Sequence, residues 1–121
     1  MNRDELIEAI TPRMVEGFPP GVYCDDGWLP LISDLYEELV KIDPNFRIAQ
    51  IKEKLGGLRF YANPSTECLD QELFYQFLRE AEVRSYQICE LTGKPGTLMR
   101  RGSWLKTLDP ETAPEGYEID R

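Results

Sequence analysis

Residues 28–42 read WLPLISDLYEELVKI, and they fix more of the architecture than any other stretch. Trp28, Leu31, Ile32, Leu35, Leu39 and Ile42 recur at three- and four-residue steps, the spacing that lines one face of an α-helix. Asp34, Glu37, Glu38 and Lys41 fill the opposite face, Pro30 suits the first turn, and Asp43-Pro44 ends the helix. A helix with one apolar face must bury it against a second layer. The following segment, residues 46–62 (FRIAQIKEKLGGLRFYA), supplies one. It reads as a β-hairpin with Gly56-Gly57 at the turn, Leu58, Phe60 and Ala62 on one face and Arg59 and Tyr61 on the other. In its first half Phe46, Ile48 and Gln50 alternate with Arg47, Ala49 and Ile51, a less clean division.

Residues 69–89 predict a second main helix, with Leu69, Leu73, Phe74, Phe77, Leu78, Ala81 and Ile88 as its apolar stripe and Thr92-Gly93 as its stop. Residues 97–108 predict a second hairpin turning at Arg100–Ser103. A short helix at 3–10 precedes a Pro- and Gly-rich stretch at 11–27 that reads as a loop or an interrupted helix. The expected fold class is α+β: a small antiparallel sheet packed on helices 28–42 and 69–89, in a single domain spanning 1–121. Residues 109–121 are expected to form an acidic tail lying over the surface, with Tyr117 and Ile119 as anchors.

Chemistry is constrained by what is scarce. The chain has no histidine and three cysteines, Cys24, Cys68 and Cys89, far apart in sequence. The commonest neutral-pH acid–base and metal ligand is thus missing, and an odd cysteine count with no close pair argues against a disulfide framework. The adjacent carboxylates Asp25-Asp26 and Glu37-Glu38 show no convergence on a cleft, and the anions beside Cys24 work against a thiolate nucleophile. KEKLGGLR and GKPGT lack the spacing of a phosphate loop and read as turns. No apolar run is long enough to cross a bilayer, and the acidic MNRDELIEAI start lacks a signal core, so the expected location is cytoplasmic.

The charge balance points outward. Fourteen basic against 22 acidic residues give −8, which opposes a phosphate backbone and suits a basic partner. Lys52, Lys54 and Arg59, with Lys94, Arg100, Arg101 and Lys106, would form a positive patch only if the two hairpins lay side by side.

The segment ICELTGKPGTLMRRGSWLKTLDPETA, residues 88–113, has the outline of a metal-binding knuckle. Cys89 stands where a Cys-x-x-Cys hook would begin, but Thr92, Asp109 and Thr112 stand where the other three ligands would be. Together with QIKEKLGGLRFYAN, AEVRSYQICE and CDDGWLPLI, this run resembles a family of small bacterial and phage proteins with no assigned activity. Those proteins carry a QIKEKFGGLRFY-like motif and a zinc-ribbon-like tail, and the likeness spans roughly residues 22–112. The resemblance implies a shared fold. The lost ligands imply no metal or other cofactor here, with Leu98, Trp104 and Leu108 holding the loop instead.

The expected function is therefore that of a non-enzymatic acidic binding protein, an immunity or anti-defence inhibitor of a basic toxin or defence nuclease. Its candidate contacts are Asp25, Asp26, Asp34, Tyr36, Glu37, Glu38, Asp109 and Glu111; Trp28, the other aromatic of that segment, is expected in the core rather than at the interface. The alternative expectation is a nucleic-acid-associated or regulatory module descended from a zinc-ribbon protein, assisted by Tyr61 and Trp104.

Overall fold

The computed structural model describes residues 1–121. Helix α1 spans Arg3–Ile10 and opens with a reciprocal cap, in which Glu5 N donates to Asn2 Oδ1 at 2.9 Å and Asn2 N donates to the Glu5 carboxylate at 3.0 Å. After single 3₁₀ turns at Thr11–Arg13 and Asp26–Trp28, helix α2 runs Leu29–Ile42. It stops at Asp43, which turns extended ahead of Pro44; the Asp43 carboxylate, fully buried, is bonded by Ser65 N and Ser65 Oγ, both at 2.6 Å, and by Asn45 N at 3.2 Å. Strands β1 (Arg47–Lys54) and β2 (Gly57–Asn63) form the first hairpin, and α3 (Gln71–Ser85) follows, with Asp70 capping its N-terminus. Strands β3 (Thr97–Arg101), β4 (Trp104–Leu108) and β5 (Glu118–Ile119) complete the chain.

The architecture is α+β, as expected, but with two antiparallel sheets rather than one: β1-β2, and a second sheet in the order β4-β3-β5. No helix is long and apolar enough to cross a membrane. The main core packs α1, α2 and α3 on one face of the first hairpin, and Leu6, Ile32, Leu39, Phe46, Ile48, Ile51, Leu58 and Phe74 are all fully buried there. Each such side chain contributes roughly 1.5–3 kcal/mol on leaving water. Cys89, Met99 and Leu108 form a small second core between the C-terminal strands and the turn before them.

Several boundaries differ from the sequence reading, each for a local reason. The first turn is Leu55-Gly56, not Gly56-Gly57: Lys54 pairs with Gly57, and Leu55 itself takes a positive φ of 54°. A register shift between Ile48 and Gln50 puts Ile48 and Ile51 on the same buried face, which explains the untidy alternation in β1. Helix α3 is shorter than 69–89. It starts at Gln71, leaving Leu69 79% exposed, and it ends at Ser85, so Ile88 and Cys89 belong to the following turns. There Ser85 Oγ accepts from Leu58 N at 2.9 Å and donates to Glu82 O, tying the helix end to β2. The tail is not merely draped, because Glu118–Ile119 pairs with β3 and Tyr117 packs beside the second core under the Arg101 guanidinium.

The Pro- and Gly-rich loop also has a role the sequence did not disclose. Val15 N donates to Ile48 O, Tyr23 N to Ile51 O and Glu53 N to Tyr23 O, at 2.9–3.0 Å. The loop thereby covers the outer edge of β1, which would otherwise present open backbone groups.

Candidate functional site

Three regions combine the residues singled out in the sequence. The first is the C-terminal knuckle. Cys89 N donates to Lys94 O at 2.7 Å and Gly93 N returns to Cys89 O at 2.9 Å, closing the GKPG turn around a cysteine that is 1% exposed. Burial pushes the Cys89 thiol up, but the Thr92 side chain and the backbone amides of Asp109, Thr92 and Leu91 outweigh it and hold the thiol below its ordinary value. The remaining ligand places do not fit a closed tetrahedral zinc site. Asp109 accepts Glu111 N at 3.0 Å within its own turn, Thr92 and Thr112 offer neutral oxygens, and no three His, Cys, Asp or Glu side chains converge. Leu108 is buried behind Cys89 as expected of the loop's apolar support. Trp104 is not part of that support, being 73% exposed.

The second region clasps the knuckle to residues 24–28. Gly27 N donates to Glu90 O at 2.7 Å, the Trp28 indole N–H to Ile88 O at 2.9 Å, and Asp25 N to Glu90 Oε2 at 2.9 Å. Lys106 from β4 lies between two carboxylates, 2.9 Å from Asp25 and 3.0 Å from Glu90, whose side chain is 2% exposed. For Glu90, burial outweighs the Asp25 amide and Lys106 and raises its pKa. For Lys106, burial alone would lower the pKa, but Asp25 and Glu90 together raise it. The ammonium is held charged, and the energetic burden of the cluster falls on the Glu90 carboxylate. Nearby Cys24 is pushed up to about 12 by burial first and by Glu90 second, which makes it a poor nucleophile. Asp25 and Asp26 are consequently not free surface acids. Asp25 is engaged by Lys106, and Asp26 by Arg3 at 2.8 Å. Trp28 is fully buried and is core, not an exposed anchor.

The third region is the outer surface of α2. Asp34 and Glu38, one turn apart, face Glu80 and Arg84 of α3 across a groove of about 150 Å³ floored by Leu31, Leu35, Phe77 and Ala81. Glu38 also pairs with Lys41 at 3.1 Å, and Glu37 is exposed. Tyr36 is on the other flank of the helix, half-buried, with its hydroxyl accepting from Arg13 Nε at 3.3 Å. The eight sequence-nominated residues therefore divide among α2, the clasp and the knuckle. Only Asp34 and Glu38 line one common groove.

Phe77, Glu80 and Arg84 joined this groove unannounced, because only the pairing of α2 with α3 brings them there. Glu90 and Lys106 carried a faint signal: one acid amid Ile88, Cys89 and Leu91, and one lysine in the apolar strand WLKTL. The positive patch is weaker than its residue list suggests. The hairpins do touch, with Thr107 Oγ1 donating to Gly56 O at 2.7 Å, but Arg59 is paired to Glu82 and Lys106 to the clasp. No family model, curated protein or solved structure matches this chain.

Proposed function

We propose that the protein is a non-catalytic, acidic binding protein that captures a basic protein, a toxin or a defence nuclease, in the manner of an immunity or anti-defence inhibitor. The observation that carries this reading is the groove between α2 and α3. An apolar floor rimmed by three carboxylates, Asp34, Glu38 and Glu80, against one cation, Arg84, suits the stem and charged head of a lysine or arginine from a partner. Exposed Glu37 on the same helix and a net charge of −8 add long-range attraction for such a partner. Two of the three thiols are poorly placed for catalysis, since Cys24 resists ionisation and Cys89, although more readily ionised, is enclosed, and histidine is lacking.

Reversing the three α2 charges (D34K/E37K/E38K) is expected to weaken capture of the basic partner by at least about tenfold, with the association rate and its salt dependence changing most. Pull-down from the native host, with neighbouring gene products co-expressed, followed by binding kinetics at two salt concentrations, checks this. Undiminished binding by the triple variant would remove α2 as the interface.

A second reading, a nucleic-acid-associated or regulatory module, has one observation in its favour. Trp104, 73% exposed, and Leu55, 58% exposed, border a common hollow at the tips of the two hairpins. Stacking of a base on Trp104 would be worth about 1–3 kcal/mol. On that reading a low-salt gel shift with single-stranded DNA or RNA shows a complex that W104A abolishes. No shift at low salt eliminates it.

A further inference from the structure

Three arginines are half-buried: Arg3, Arg13 and Arg59. Two of them have a carboxylate partner, Arg3 with Asp26 at 2.8 Å and Arg59 with Glu82 at 3.0 Å. Arg13 has none, although the chain carries 22 acids. Its guanidinium is held by neutral groups instead. Nη1 donates to Pro44 O at 2.6 Å and to Phe46 O at 3.3 Å, and Nε donates to the Tyr36 hydroxyl. The guanidinium carbon sits 4.7 Å from the Phe46 ring centroid and 5.6 Å from that of Tyr36. These contacts fix the fork in place, yet they offer only partial charges, and a partly desolvated cation is stabilised far more by a full anion.

A second arginine borders the same surface hollow of about 350 Å³. Arg47, exposed and also without a carboxylate partner, is anchored by one bond from Nη2 to Met14 O at 3.1 Å. The acids attached to this segment are committed elsewhere. Asp43 is saturated by Ser65 and Asn45 N, and Glu67 accepts Asn45 Nδ2 at 2.7 Å. The hollow thus brings together two guanidinium groups, one of them rigidly held, with no counter-ion from the chain itself.

We propose that this hollow is a binding site for a single oxyanion group, a phosphate or a carboxylate, received between Arg13 and Arg47. Arg13 Nη2, the one nitrogen of its fork not taken by Tyr36, Pro44 or Phe46, and the exposed guanidinium of Arg47 suit either anion, and neither needs a metal to be held. The site lies on the flank of α2 opposite the acidic groove, and it is independent of the function proposed above.

The test is an NMR titration of the arginine Nε–Hε groups with inorganic phosphate and, separately, with acetate, at low ionic strength against a chloride control. Saturable shifts confined to Arg13 and Arg47 are expected, with Arg79, Arg84 and Arg121 unmoved. R47Q removes an exposed side chain, is expected to keep the wild-type melting temperature, and should weaken the preferred anion by about tenfold. R13K, which keeps the charge and loses the fork, should weaken it as well. Preference for phosphate identifies a phosphate-bearing ligand, and preference for acetate a carboxylate such as a peptide terminus. Shifts spread evenly over all arginines, an R47Q titration identical to wild type, or binding no stronger than that of chloride would overturn the proposal.

Discussion

Replacing Gly27 with alanine is expected to destabilise the protein by on the order of 3 kcal/mol or more, which for a chain of this size can abolish the fold. A Cβ built on Gly27 would lie 2.2 Å from Cys89 O and 2.4 Å from Glu90 O. Both obstacles are backbone atoms, so no rotamer change relieves them. Moving them would break the 2.7 Å bond from Gly27 N to Glu90 O and displace Ile88 O from the Trp28 indole. Urea unfolding of G27A gives the magnitude. Fluorescence excited selectively at indole in a W104F background, where Trp28 is the one tryptophan left, reports the clasp: the buried indole should emit to the blue in the parent and shift red in G27A. An unfolding free energy within about 0.5 kcal/mol of the parent's would show that the close approach does not exist.

Lys106→Met should cost about 3 kcal/mol, because it leaves the Glu90 carboxylate enclosed with only the Asp25 amide for compensation. Partial exposure of Lys106 and Asp25 puts the figure at the lower end of what broken buried pairs cost. Adding E90Q to K106M removes the stranded charge and should recover more than half of the loss, a non-additivity that a double-mutant cycle measures. The pH dependence has a definite sign. A carboxyl whose folded-state pKa is raised is better ionised in the unfolded chain, so Glu90 subtracts stability as pH rises from the ordinary carboxylate range through its folded-state value. Without Lys106 that value rises further, so K106M should regain stability on mild acidification to a greater extent than wild type does. Conversely, the raised Lys106 contributes stability that is present below the ordinary lysine range and is lost as pH climbs through its folded-state value. That alkaline loss should be missing from K106M. Equal stability of K106M and wild type from pH 4 to pH 11 would contradict the whole assignment.

What the sequence made legible follows from how locally each feature is determined. Helix α2 emerged within a residue of its expected limits, since its apolar stripe, Pro30 and Asp43-Pro44 all act within the segment itself. The second hairpin appeared at 97–108, because its strands are bounded by their own turn residues. The C-terminus of α3 was misplaced because the stop is tertiary: Ser85 is taken by Leu58 N, and a Gly57 side chain would meet Tyr86. The division into two sheets and the pairing of Ile119 with Met99 depend on contacts distant in sequence, which periodicity does not encode. The candidate contacts fared similarly. Asp34 and Glu38 are exposed by helical spacing alone, but nothing in DDGW indicates that Asp25 belongs to a lysine eighty-one residues later.

The clasp couples the order of synthesis to the acquisition of structure. Trp28 is made early, yet the carbonyl that receives its indole proton, the lysine that neutralises Glu90 and the strand that encloses Cys89 all lie beyond residue 87. A nascent chain therefore carries an apolar α2 and a completed first hairpin while the groups that lock them are still within the ribosome. Such long-range closure is slow to form. A chain that stopped before β4 would lack Lys106 and Leu108 and is expected to remain an adherent intermediate rather than a smaller working protein.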